Sequence, residues 1–176
     1  MRWIVALLSG SLMALSSPVG AQNDLSQYVS HYPSEKVNGR SLLDVIQKSF
    51  TSTFGVERWR RLVSYHTENP VQATSNDVFG RLLTVHVCKP HNCGAEYMDL
   101  VMHIETGRFV VLCSYGEARN GREIEWAGAG WSLKARSRLV SESEREQMKT
   151  RGAKYAAFAC DDGSWGTVLT DMFGAE

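Results

Sequence analysis

Tyr97-Met98-Asp99-Leu100-Val101-Met102-His103-Ile104 is the stretch on which the fold turns. Met98, Leu100, Met102 and Ile104 alternate with Tyr97, Asp99, Val101 and His103, which is the two-residue period of a strand. Thr106-Gly107 supplies a turn, and Phe109-Val110-Val111-Leu112-Cys113 runs back beside it. Upstream, residues 78–87 are mostly apolar and strand-like. Downstream, Asn120-Gly121 suits a type I′ hairpin turn, because both residues readily take positive φ. It is expected to join the strand ending near Tyr115 to one containing Ile124 and Trp126. The pattern reads as an antiparallel meander.

Helical periodicity flanks these strands. Leu42, Val45, Ile46 and Phe50 form one apolar stripe of an amphipathic helix. A second short helix is expected over 56–63, with Trp59, Leu62 and Val63 inward. Residues 22–39 read as an irregular or partly helical lead-in, and 67–77 as a loop and first edge strand, with Asn69-Pro70 as a breaker. Further on, Ser141 with Glu144 fits a capping box, and Gly152 stands where a left-handed C-cap would fall. A last strand is expected over 154–160, followed by a turn at 161–164. The sum is an α+β fold: one domain, an antiparallel sheet with helices packed on one face.

The chain carries 19 Lys and Arg against 19 Asp and Glu, a formal net charge of zero. Such a protein has no overall field to draw it onto nucleic acid or anionic lipid. Arg58, Arg60 and Arg61 form a small basic cluster that reads as a solvated helix face.

Residues 1–21 read as a cleaved secretory signal peptide: Met1-Arg2 ahead of an apolar stretch, then Pro18-Val19-Gly20-Ala21 before Gln22. That leaves 22–176 as the mature domain. No later segment approaches the roughly 18 apolar residues of a membrane span. Export to the periplasm places the chain where disulfides persist.

Four cysteines then formally allow three pairings. Cys88 and Cys93 flank one tight turn, so Cys88-Cys93 is the expected short bridge. Cys113-Cys160 is then the expected long one, with about 4 kcal/mol of chain-entropy stabilisation against about 2 kcal/mol for the short ring. Cys88-Lys89-Pro90-His91-Asn92-Cys93 thereby becomes a stapled loop presenting one imidazole, with Gly94 letting the backbone turn away.

That hexapeptide after a strand, together with Trp59, the Asn69-Pro70-Val71-Gln72 segment, Ile124-Glu125-Trp126 and Tyr155-Ala156-Ala157-Phe158, resembles the inhibitor of vertebrate lysozyme (Ivy) family of proteobacteria. The resemblance implies a periplasmic inhibitor of c-type lysozyme that inserts the loop histidine into the enzyme's cleft, as a monomer or homodimer. It casts His91 as the plug, Cys88 and Cys93 as the brace, Pro90 as a stiffener, and Lys89 and Asn92 as rim contacts. Two departures stand out. Asn92 occupies a position that is more often Asp in the family, and Cys113 and Cys160 have no counterpart in its best-known members.

The chemistry of such inhibition follows from the target. A retaining glycosidase uses one protonated and one ionised carboxyl group, and an imidazole between them can hydrogen-bond to both. A rigid loop avoids the ordering cost of binding. An alternative partner is a bacterial lytic transglycosylase or a secreted lysozyme-like effector, which also depends on a catalytic carboxyl.

Other chemistries lack their signatures. His86, Cys88, His91 and Cys93 do not give two zinc-ligand pairs in register. No Gly-x-Ser-x-Gly, P-loop, dinucleotide fingerprint or haem-attachment motif occurs, so neither enzyme activity nor a cofactor or metal is expected. His31, His66, His86 and His103 read as ordinary surface or strand residues, and Trp59, Phe109, Trp126 and Trp131 as packing.

Overall fold

The computed structural model describes residues 25–65, 69–76, 78–115, 123–128, 131–136, 141–150, 155–160 and 165–174. A short 3-10 helix, Leu25–Tyr28, leads into β1 (Lys36–Val37) and β2 (Arg40–Ser41). Asn38 and Gly39 close this small hairpin at φ 52° and 85°, the paired positive values that a type I′ turn demands. Ser41 then caps α1 (Leu42–Phe54): its hydroxyl accepts from the Asp44 N–H at 3.1 Å, and the Asp44 carboxylate accepts from the Ser41 N–H at 2.9 Å. Gly55, at φ 88°, turns the chain into α2 (Val56–Ser64). Trp59 and Leu62 of α2 are buried as expected, whereas Val63 is exposed.

The remaining elements are β3 (Gln72–Asn76), β4 (Gly80–Cys88), β5 (Glu96–His103), β6 (Phe109–Tyr115), β7 (Glu123–Gly128), β8 (Trp131–Arg136), α3 (Glu142–Thr150), β9 (Tyr155–Cys160) and α4 (Trp165–Phe173). β3 through β9 form a seven-stranded sheet in the order β3-β4-β5-β6-β9-β7-β8. All neighbours are antiparallel except β6 and β9, which run parallel. The α+β fold is thus as the sequence indicated, and β3 is the expected edge strand. The capping box that opens α3 is also present, with Glu144 and Ser141 exchanging backbone-to-side-chain hydrogen bonds of 2.8 and 3.3 Å. Gly152 and the signal-peptide segment lie outside the described residues.

Two expectations need correction. Asn120-Gly121 lies outside the described residues, but the hairpin assigned to it does not form, because β6 and β7 are not paired. β9 lies between them, pairing Val110 with Ala157 on one side and Trp126 with Ala157 on the other. A turn-forming dipeptide specifies a local reversal and cannot exclude a later strand from the gap it spans. Nor do the helices share one face. Leu83, Val85, Val87, Met98, Leu100, Met102, Phe109 and Val111 pack beneath α1 and α2 with Phe50, Phe54, Trp59 and Leu62. The alternating set Leu82, Val101, Val110, Leu112, Ile124, Trp126, Ala157 and Ala159 packs against Val168, Met172 and Phe173 of α4 on the opposite face. The central strands β6 and β9 are therefore covered from both sides.

Arg58 also departs from the solvated-face reading. Its Nη1 donates to Glu125 Oε2 at 2.9 Å, and its guanidinium lies 4.2 Å from the Phe158 ring centroid, tying α2 to β7 and β9.

Candidate functional site

β4 and β5 pair in register from Leu82↔His103 to Cys88↔Tyr97, and the loop 89–95 closes their open end. Its geometry follows from three features. The Lys89 N–H donates to the Glu96 carbonyl at 2.9 Å, completing the ladder at the loop's base. The Asn92 N–H donates to the Lys89 carbonyl at 3.0 Å, forming a four-residue turn with Pro90 second and His91 third. His91 has φ 64°, and proline followed by a left-handed residue is the signature of a type II turn. Gly94, expected to let the backbone turn away after the loop, does so without a left-handed conformation, and the left-handed corner of the turn itself is His91.

Both expected disulfides are formed. Cys88–Cys93 spans the loop with a Cα–Cα separation of 4.8 Å, and Cys113–Cys160 joins β6 to β9, where the two residues are register partners. Cys88 and Cys113 are fully buried, so each bridge is rooted in the sheet. The Ser114 hydroxyl adds a hydrogen bond to the Ala95 carbonyl at 3.0 Å, anchoring the returning arm of the loop to β6.

The six loop residues are therefore brought together as expected, but not all point to solvent. Lys89, Pro90 and His91 are exposed and Asn92 is half-buried. Lys89 and Asn92, expected at the rim of a complex, are instead turned onto one carboxylate: Lys89 Nζ lies 2.7 Å and Asn92 Nδ2 3.1 Å from Glu96 Oε1. Glu96 shares the strand face of Met98, at the end of the core beneath α2. The Lys89 hydrogen bond chiefly, with Lys89's charge, the Asn92 amide and Arg61 of α2 adding to it, holds the Glu96 carboxyl below its ordinary value of 4.5.

Sequence reasoning missed Glu96. Its signal was present: a carboxylate seven residues after Lys89 falls opposite it once Cys88 pairs with Tyr97. It also missed His86, whose Nδ1 lies 2.7 Å from Asp99 Oδ1 across the β4–β5 pair, with the Tyr97 ring 5.6 Å away. His31 pairs with Glu35 at 2.9 Å, and His103 Nδ1 accepts from the Thr106 N–H at 3.2 Å, so both serve local structure. His66 lies outside the described residues.

No protein-family model, curated protein or solved structure matches the chain. Among the described residues, no helix is long and apolar enough to cross a membrane. What the site can do chemically rests on its own geometry. It offers one imidazole on a covalently closed turn, with the Lys89 and Asn92 side chains hydrogen-bonded to Glu96.

Proposed function

We propose that this protein is an exported inhibitor of c-type lysozyme, acting in the periplasm by inserting His91 between the enzyme's catalytic carboxyl groups. The single observation that carries the reading is the presentation of His91. It is exposed at the left-handed corner of a turn closed by Cys88–Cys93, while Lys89 and Asn92 fold back onto Glu96. A projecting ring of this kind enters a cleft without first being ordered, so little interaction energy is lost to entropy. Pairing Lys89 with Glu96 also spares a basic lysozyme the approach of a bare cation.

The imidazole supplies two ring nitrogens, and the glycosidase supplies two carboxyl oxygens that substrate would otherwise occupy. Hydrogen bonds to charged groups contribute about 1.5–3 kcal/mol each, so losing the ring is expected to weaken binding by at least about 100-fold.

The test is peptidoglycan lysis by a c-type lysozyme titrated with the mature protein. Because His91 is left-handed, His91→Asn is the cleaner variant: asparagine tolerates that conformation, whereas alanine adds backbone strain. Stoichiometric inhibition by the wild type, lost in folded His91→Asn, is the expected result. A folded variant that inhibits equally well would remove His91 from the mechanism. A folded wild type that fails against lysozyme but blocks a lytic transglycosylase would assign the same loop to a bacterial target instead.

A further inference from the structure

Glu96 lies outside the disulfide ring, yet it organises every polar side chain within it apart from the histidine. One oxygen, Oε1, accepts from both Lys89 Nζ and Asn92 Nδ2. The same residue closes the loop through its backbone, accepting from the Lys89 N–H and donating to the Asn92 carbonyl at 2.9 Å each. Lys89 and Asn92 flank Pro90-His91 on either side, so tying both to one carboxylate oxygen fixes the direction in which the tip projects.

We propose that Glu96 is the positioning residue of the loop: presentation of His91 requires a complementary acceptor–donor pair between positions 96 and 92, which the ionised Glu96 carboxylate and the Asn92 amide supply in the wild type. The inference rests on the reading of His91 as the inserted group, and adds to it a dependence on protonation.

The chemistry at position 92 is restrictive. Asn92 offers N–H donors to Oε1 at 3.1 Å; an aspartate there would set a second anionic oxygen at that distance, and like charges so close cannot both ionise freely. The charged groups facing Glu96 among the described residues are Lys89 from the loop and Arg61 from α2, both cationic and both favouring its ionised form. The sign of the pH effect follows. The carboxylate's contribution to loop order is complete above its ordinary value of 4.5 and is lost as pH falls below it and the group takes up a proton.

The experiment reads loop order on the free, oxidised mature protein, from backbone amide order parameters of residues 89–96 between acidic and neutral pH. Wild type is expected in the rigid range, about 0.85, at neutral pH and to loosen on acidification. Glu96→Gln should lose that acid-dependent step, since an amide does not titrate.

Asn92→Asp should show the opposite sign, loose at neutral pH and tightening as the two carboxyls come to share a proton. Combining Asn92→Asp with Glu96→Gln should restore order at neutral pH, because the amide introduced at position 96 can then donate to the carboxylate introduced at position 92. A purely packing role for Glu96 would not invert the pH profile.

Superimposable acid profiles for wild type and Glu96→Gln, or an Asn92→Asp loop as rigid as wild type at neutral pH, would overturn the proposal. No target enzyme enters the measurement. A protein that fails to inhibit lysozyme while its loop behaves as described therefore loses the functional reading and keeps the positioning role.

Discussion

His91 does two things with one side chain: it supplies the projecting ring, and its backbone takes the left-handed corner that the turn requires. Histidine is among the few non-glycine residues enriched in that conformation, so the loop needs no glycine at its tip. The hexapeptide was legible as a stapled turn, because two cysteines and a proline at fixed spacing leave few geometries. Glu96 was not, because its role appears only once strand register places it across from Lys89. Arg58 makes the same point. Read as one of three arginines on a helix, it looks solvated, but its partners Glu125 and Phe158 lie on distant strands. Arg58→Lys tests this contact. Lysine keeps the charge but loses the planar group over Phe158, so stability is expected to fall by about 1 kcal/mol, read as the shift in a urea unfolding midpoint. A midpoint unchanged from wild type would show that the ring contact contributes nothing.

Elements were recognised where the sequence carried a periodic pattern or a boundary signal. α1 was legible from its apolar stripe and α3 from its Ser141–Glu144 capping box, whereas the Ser41–Asp44 box that opens α1 went unread. What escaped was which face each helix covers. The clue lay in the strands: Phe109-Val110-Val111-Leu112-Cys113 and Ala156-Ala157-Phe158-Ala159 do not alternate, and continuous apolar runs mark strands buried on both faces. Such runs imply that both faces of β6 and β9 are covered, as α4 covers the far side, but which strands are neighbours is settled only by the pairing itself. The cap of α1 makes a prediction at this scale. Hydrogen bonds from the Ser41 backbone and hydroxyl hold the Asp44 carboxyl below its ordinary value of 3.8, with Lys36 and Arg40 contributing at longer range. A lowered folded value means that the cap stabilises fully above 3.8 and is lost as pH falls below it. Wild type should therefore exceed Asp44→Asn in urea midpoint near neutral pH, and the difference should shrink on acidification. A difference independent of pH would show that the carboxylate's charge plays no part in the cap.

At the scale of the whole molecule, the two disulfides divide stability from presentation. Cys113–Cys160 closes a separation of 47 residues and locks β6 against β9, the one parallel pair in the sheet. Parallel neighbours cannot be joined by a tight turn, so their pairing depends on contacts remote in sequence, and a covalent bridge there restricts the unfolded chain over a long span. Cys88–Cys93 closes a separation of only 5 and restricts the unfolded chain far less. Replacing Cys113 and Cys160 together by alanine should cost about 4 kcal/mol, whereas replacing Cys88 and Cys93 together should cost about 2 kcal/mol. Inhibition should follow the opposite order. The loop is carried by the β4–β5 ladder, while the long bridge joins β6 to β9, so the Cys113→Ala, Cys160→Ala variant, assayed below its lowered melting temperature, should inhibit as wild type does. The Cys88→Ala, Cys93→Ala variant remains the more stable of the two, yet must order its tip on binding and should lose affinity. Denaturant titration beside the lysis assay reads both quantities on the same samples. If the less stable variant were also the weaker inhibitor, and the loop variant inhibited normally, rigidity of the closed turn would not be what presents His91.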